Sequence, residues 1–223
     1  MPSDELPKKG DHILFFDVES LPADRGDPLW LKLSSQLPAE QVEECRLKTS
    51  LNGPLGRAWM IGSALGAKDP VLFVSDGSHA DERRILVEFD QSLAELVNPW
   101  FVGHNISGFD IPFLQVRALH HKLPDLARRL GRTRIKPWDS RILDTQKIWP
   151  RTGHDRQAWK DGLMGFGRLD TLCAVLGIPL QEGVMGTDVY GAFLAGDHKG
   201  VADHLDADIR QVREVFKCLW PIL

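Results

Sequence analysis

The stretch HILFFDVES, His12 to Ser20, constrains this chain more than any other. It begins as a buried strand reads, with apolar residues clustered and alternating, and ends with two carboxylates, Asp17 and Glu19, one residue apart. On a strand, side chains i and i+2 share a face. Asp17 and Glu19 therefore point the same way, and Val18 points into the opposite layer. Two carboxylates held side by side repel, and one stays protonated unless a cation lies between them. A divalent ion relieves that repulsion, and oxygen ligands suit Mg²⁺ or Mn²⁺. The plain alternative is a strand that has ended, with both acids in water.

Two further clusters bear on that choice. VGHNISGFDIPFL places Asn105 and Asp110 just beyond an apolar strand, with Phe109 between them. Asp110 also has a local explanation, as the N-cap of a helix whose first turn tolerates Pro112. Phe109 reads equally well as core. Near the C-terminus, DHLDADIRQV sets His204 and Asp208 four residues apart, on one face and about 40° apart around a helix axis. They flank a core stripe of Leu205, Ile209, Val212, Phe216 and Leu219 at helical spacing. Asp203 and Asp206 read as solvated acids that favour the helix dipole.

The rest of the chain outlines an α/β architecture. AWMIGSALGA and PVLFVSDG read as a hairpin turning at Lys68–Pro70, and PAEQVEECRLKTSL as a short helix near Pro38. Ala80 to Val97 has helical spacing, WFVGHN is a fourth strand, and SRILDTQKIW is a strand or edge element. RLDTLCAVLGI is a helix ended by Gly177 and Pro179, and Val201 to Trp220 is a long final helix. Strands that interleave with helices predict a mixed central sheet with helices on both faces. The 223 residues suit one domain, with residues 1–10 as a flexible N-terminus. Residues 150–168 read as a long flexible loop whose flanking Trp138, Trp149 and Trp159 could touch substrate.

Composition narrows the function classes. No run of 18 apolar residues suggests a membrane span, and MPSDELPKKGD lacks the apolar core of a signal peptide. The three cysteines, Cys45, Cys173 and Cys218, are distant and odd in number, which predicts reduced thiols in a cytoplasmic protein. The net charge of -4 gives no global attraction for polyanions, so nucleic acid would need a local patch. Between Arg117 and Arg141 eight basic residues face two acids, and that stretch reads as a phosphate-binding rim. Nothing resembles a base-reading helix or zinc finger.

Taken in order, F-D-V-E (Phe16 to Glu19), N-x-x-x-F-D (Asn105 to Asp110) and a late helical Asp resemble the three motifs of the DEDD 3′–5′ exonucleases. The resemblance is to the group related to the proofreading domain of family B DNA polymerases, including stand-alone members. LDTLCAVLGIP, GVMGTDVYGAFLAGD and HLDADIRQV carry it through the C-terminal part, and it spans about Ile13 to Leu219. It implies an RNase H-like fold and two divalent cations, Mg²⁺ or Mn²⁺, held by Asp17, Glu19, Asp110 and Asp208. Those two ions would hydrolyse a phosphodiester and release nucleoside monophosphates. Asn105 and Phe109 match positions beside the terminal nucleotide.

The last motif departs from the pattern. The polymerase-like branch carries Tyr four residues before the final Asp, and the other branch carries His five before it. Here His204 stands at the Tyr spacing, and we read it as the general base. His198 and Asp203 form a rival pair at the other spacing, but no apolar stripe follows Asp203 as it follows Asp208. Asp144 resembles a recurrent D-T of the family, with a supporting role rather than direct metal binding.

The expected partner is nucleic acid, chiefly single-stranded DNA with a free 3′ end, and no membrane. Replication or repair proteins are compatible partners that the sequence does not name. The alternatives are an exoribonuclease of the same superfamily, since no residue here reads a 2′-hydroxyl, and a catalytically silent nucleic-acid-binding module.

Overall fold

A computed structural model describes residues 7, 8, 10–132, 141–149, 167–180 and 188–222. Five strands form one sheet: β1 (Ile13–Leu21), β2 (Arg57–Leu65), β3 (Val71–Val74), β4 (Trp100–Gly103) and β5 (Ile142–Asp144). Their order across the sheet is β3-β2-β1-β4-β5. β1 pairs antiparallel with β2 and parallel with β4, β2 pairs antiparallel with β3, and β4 pairs parallel with β5. The expected hairpin forms, but its tight turn is at Gly66–Ala67, closed by the Lys68 N–H on the Leu65 carbonyl, rather than at Lys68–Pro70; β5 is the expected edge element.

Nine helices of the described residues are α1 (Pro28–Ser34), α2 (Val42–Lys48), α3 (His79–Ala94), α4 (Asp110–His120), α5 (Pro124–Arg132), α6 (Thr145–Ile148), α7 (Leu169–Leu176), α8 (Val189–Ala195) and α9 (His198–Leu219). β1 is central, and its two faces belong to different cores. Leu14, Phe16 and Val18 pack with Ile85, Leu86 and Phe89 of α3 and Ile111, Phe113 and Leu114 of α4. Phe15 packs on the other side with Val201, Leu205, Ile209, Val212 and Phe216 of α9. This is the layered arrangement that the sequence pattern predicts. Every residue of the α9 stripe is buried.

α9 lies very close to the sheet, because Gly62 on β2 leaves it room. A Cβ there would fall inside van der Waals contact of Ile209 Cδ1, and 3.0 Å from both Leu205 Cγ and Leu72 Cδ2. Gly62 is the register partner of Asp17. The closest approach of helix to sheet is thus one strand away from the first carboxylate.

Candidate active site

β1 does not end before its acids. It runs on to Leu21, with a register shift between Glu19 and Ser20. Asp17 and Glu19 are therefore strand residues on the α9 side, next in alternation after Phe15. Glu19 is buried. The parallel neighbour β4 ends at Gly103, and the 104–109 loop carries the chain over the sheet into α4. Asp17 and Glu19 thus lie on β1 past the point where its parallel neighbour β4 ends, on the carboxyl side of the parallel strands, where open α/β sheets place their sites.

Asp110 is not the cap that its local context suggests. Phe109 occupies the N-cap position without a side-chain cap bond, and Asp110 is the first residue of α4. Its side chain is buried, and its Oδ1 accepts no hydrogen bond. Burial and the neighbouring Asp17 charge hold the Asp110 carboxyl well above the usual carboxylate range. The Asp17 carboxyl is pushed up from 3.8 to about 7, first by burial and then by the charge of Asp208. Glu19 is also raised well above its ordinary value by burial, with Asp17 and Asp208 adding to it.

α9 brings in the remaining pair. His204 Nε2 lies 3.5 Å from Asp208 Oδ2 and 3.9 Å from Glu19 Oε1. Asp208 is raised to about 6 by burial and by Asp170 of α7. Burial pulls the His204 imidazole below its ordinary 6.5, against the opposing pull of Asp17. The fold therefore gathers Asp17, Glu19, Asp110, His204 and Asp208 from three remote segments into one partly buried pocket. The rival pair separates from it: Asp203 is exposed and pairs with Lys199, while His198 packs on Trp59 with ring centroids 5.3 Å apart. Asp206 pairs with Arg210 at 2.6 Å.

The loop between β4 and α4 is held by Asp144 at the end of β5. The Asp144 carboxylate accepts from the backbone N–H of Asn105 (3.0 Å) and Ser107 (3.2 Å), from Ser107 Oγ (2.5 Å), and from the Gln146 N–H (3.1 Å). This is the supporting role that the D-T resemblance predicts. Asn105 has a left-handed backbone, φ 58°, and its side chain lies against Gly108, where any Cβ would collide with Asn105 Oδ1. Phe109 is half-buried, with its ring 5.1 Å from that of Phe113. His104 Nε2 lies 2.7 Å from the Gly167 carbonyl and Nδ1 lies 3.0 Å from Thr145 Oγ1, so this histidine joins α6 and the start of α7 to the loop.

Of the eight basic residues of the expected phosphate rim, five have described side chains, and four of those have partners within the chain. Arg117 is buried, with its side chain 1% exposed, in an ion pair with Glu82 at 2.7 Å. Arg128 pairs with Asp125 and Arg129 with Asp90. Arg141 donates to the Asn98 carbonyl and lies over the Trp100 ring. Lys122 is exposed. Arg134, Lys136 and the Arg132 side chain lie outside the described residues, as do most of the 150–168 segment, Trp138 and Trp159. Trp149 packs beside Leu172, Cys173 and Leu219. The Cys173 thiol is buried and pushed up to about 11, and all three cysteines are free. No helix of the described residues is long and apolar enough to cross a membrane.

A mixed five-stranded sheet in this order, with helices on both faces, is an RNase H-like fold. The fold is shared with the structure of the family B DNA polymerase from the hyperthermophilic archaeon Pyrobaculum calidifontis, at 19% identity and a TM-score of 0.56. That match covers 96% of this chain and 25% of the polymerase chain. Residues 70–216 match the family described as predicted 3′-5′ exonuclease related to the exonuclease domain of PolB. The chain belongs to this family, and is an enzyme of the 3′–5′ exonuclease class. The matched residues include Asn105, Phe109, Asp110, His204 and Asp208, while Asp17 and Glu19 precede them. No curated protein matches the sequence significantly.

Proposed function

We propose that the chain is a metal-dependent exonuclease that trims single-stranded DNA from a free 3′ end and releases nucleoside monophosphates. The observation that carries this reading is the cluster of four carboxylates drawn from three elements, β1, α4 and α9. Each is raised above its ordinary proton affinity by burial first, and for three of them by another of the four as well. Such a pocket is complementary to positive charge. The donors are all hard oxygens, which fit Mg²⁺ or Mn²⁺, and the buried, unbonded Asp110 Oδ1 is a ligand atom without another partner. Asp17, Glu19, Asp110 and Asp208 would hold two cations. When bound, the ions supply an activated water and neutralise charge on the phosphoryl and leaving oxygens.

His204 adds a proton acceptor at the mouth of this pocket. Its Nε2 stands beside both Glu19 and Asp208, within reach of a water that either carboxylate binds. Burial favours the neutral ring, and only the neutral ring can take a proton. Activity should therefore rise as pH passes through a value below 6.5, and that limb should vanish in His204→Ala. Asn105 and Phe109 stand at the start of α4 beside Asp110, where the terminal nucleotide would lie. The half-buried Phe109 ring would offer an edge and part of a face to a base.

The test uses end-labelled oligonucleotides of DNA and RNA, single and double stranded, with Mg²⁺, Mn²⁺ or EDTA. The expected result is a ladder shortening from the 3′ end of single-stranded DNA, abolished by EDTA and by Asp17→Ala. Cleavage of circular single strands would replace the exonuclease reading with an endonuclease. A ladder on RNA but not DNA would move the substrate to the exoribonuclease alternative. Nucleic acid bound without a ladder would mark a silent binding module.

A further inference from the structure

At the opposite end of α4 from Asp110 is a second group of metal-ligating side chains. His79 opens α3, while His120 and His121 close α4 and follow it. One ligand nitrogen from each imidazole lies within 4.8 Å of the others. The rings crowd together, with centroids 4.9 Å apart for His120 and His121, 5.6 Å for His79 and His120, and 6.3 Å for His79 and His121. Ten residues of helix separate Asp110 from His120, about 15 Å along the axis. The two groups therefore cannot share an ion.

Beneath the histidines is a buried carboxylate with fixed partners. Glu82 Oε1 accepts from the Ala58 N–H and Arg117 Nε, both at 2.8 Å. Its Oε2 accepts from Arg117 Nη2 at 2.7 Å and lies 2.6 Å from His121 Nε2. Burial raises the Glu82 carboxyl, but the hydrogen bonds from Arg117 and then His121 outweigh it, and it stays ionised. An ionised carboxylate can only accept, so His121 Nε2 is the nitrogen that carries a proton here, and Nδ1 is the one left to a metal. A carboxylate that fixes a histidine tautomer in this way is the usual support behind a metal-bound imidazole. His79 Nδ1 is buried and has no hydrogen-bond partner, its approach of 3.7 Å to Glu82 Oε2 being too long. Unpaired buried nitrogens are rare enough to require a cause. His120 is exposed, and burial, then Arg117 and His121, lower its proton affinity, which favours the ring form that can ligate.

We propose that His79, His120 and His121 form a second metal site, for an ion of the Zn²⁺ class, that ties α3 to α4. Imidazole nitrogens select Zn²⁺ and its borderline neighbours over Mg²⁺, and an oxygen-lined pocket does the reverse. A tetrahedral zinc with Zn–N of about 2.1 Å sets its nitrogens about 3.4 Å apart. The nitrogens stand within 4.8 Å of one another, so a bound ion would draw them closer together. Local charge permits it: Arg117 is neutralised by Glu82, and Arg57 by Asp24, whose Oδ2 lies 4.0 Å from His79 Nε2. The site is independent of the exonuclease reading.

The test titrates Zn²⁺ calorimetrically into metal-stripped full-length protein carrying Asp17→Ala and Asp208→Ala, which removes two oxygen ligands from the acidic pocket so that it does not compete for zinc. One equivalent should bind, and His120→Ala and His79→Ala should each weaken it at least 30-fold. His120 is exposed, so its removal should leave the zinc-free melting temperature unchanged. Cobalt(II) should give the strong visible bands of a tetrahedral nitrogen site, and His120→Ala should abolish them. Zinc affinity that is unchanged in both alanine variants, or no saturable binding at 100 µM, would overturn the proposal.

Discussion

Replacing Asp17 by Asn should stabilise the metal-free protein, and the gain should grow with pH. Asp17 has an ordinary value of 3.8 and is pushed up to about 7 in the folded chain. The folded state therefore holds a proton that the unfolded chain has already lost. Stability is full below the unfolded value, falls as pH rises from there, and is lowest above the folded value. At about 1.4 kcal/mol for each tenfold change in proton affinity, burying Asp17 costs about 2 kcal/mol near pH 5, where it is held protonated, and about 4 kcal/mol near pH 8, where it is ionised. Asn is almost isosteric and carries no charge, so it removes most of this penalty. Urea unfolding in EDTA should show Asp17→Asn more stable than the parent at both pH values, with the gap roughly doubling at the higher one. Contributions common to both proteins cancel in that difference. These include the carboxyls of Glu43 and Asp81, which lie low at about 2 and titrate outside this range. Millimolar Mg²⁺ or Mn²⁺ should raise the stability of the parent alone, since a ligand stabilises only the state that binds it. A gap that stays constant between pH 5 and 8, or a less stable Asn variant near pH 8, would refute the placement of Asp17 among repelling acids.

Three other substitutions probe the frame around the pocket. Gly62→Val forces a side chain against Ile209, Leu205 and Leu72; it should cost about 1–3 kcal/mol by overpacking, and nuclease activity should fall further than stability explains, because α9 carries His204 and Asp208. Arg117→Met leaves Glu82 buried without its guanidinium partner and should cost about 3–5 kcal/mol in urea unfolding, with Glu82→Gln in the same chain recovering part of it. Asp144→Ala removes the acceptor of four hydrogen bonds; since bonds to a charged group contribute about 1.5–3 kcal/mol each, it should cost at least about 2 kcal/mol and lower kcat more than it changes binding of an oligonucleotide.

The parts of the fold that the sequence makes legible have unbroken periodicity. β1, the β2–β3 hairpin, β4, α3, α4 and α9 all lie within a few residues of their expected bounds. Short helices in turn-rich or charged surroundings were hidden. α1 follows the Pro- and Gly-containing residues 22–27, which carry no helical periodicity, and Asp27 accepts from the Trp30 N–H to start a helix of seven residues. α5 follows Pro124 inside the basic stretch, and its Leu126, Ala127 and Leu130 are buried beneath the arginines that dominate the pattern. The Glu82–Arg117 pair was illegible for a different reason. Each residue alone reads as a surface charge on an amphipathic helix, and only the packing of α3 against α4, 35 residues apart in the chain, buries both. The same packing gathers the three histidines, to which the sequence assigned no role.

The carboxylate pocket was legible because its spacing and its packing obey one geometric rule. β1 alternates, so its acids and Phe15 share the α9 side. α9 repeats every 3.6 residues, so its buried stripe fixes which of its acids turns towards β1. A shift of one residue would turn a side chain by about 100°, which is why the choice between Asp203 and Asp208 follows from the stripe. Leu205 and Ile209 each follow a pocket residue, and with Gly62 they set how closely that helix lies on the sheet. Asp110 is the exception. Its sequence context favours a cap, yet the Phe109 backbone takes the cap position and frees the carboxylate for the pocket. A residue with a sufficient local explanation was reassigned by the chain around it, through the Asp144 hydrogen bonds that hold the 104–109 loop and set where α4 begins.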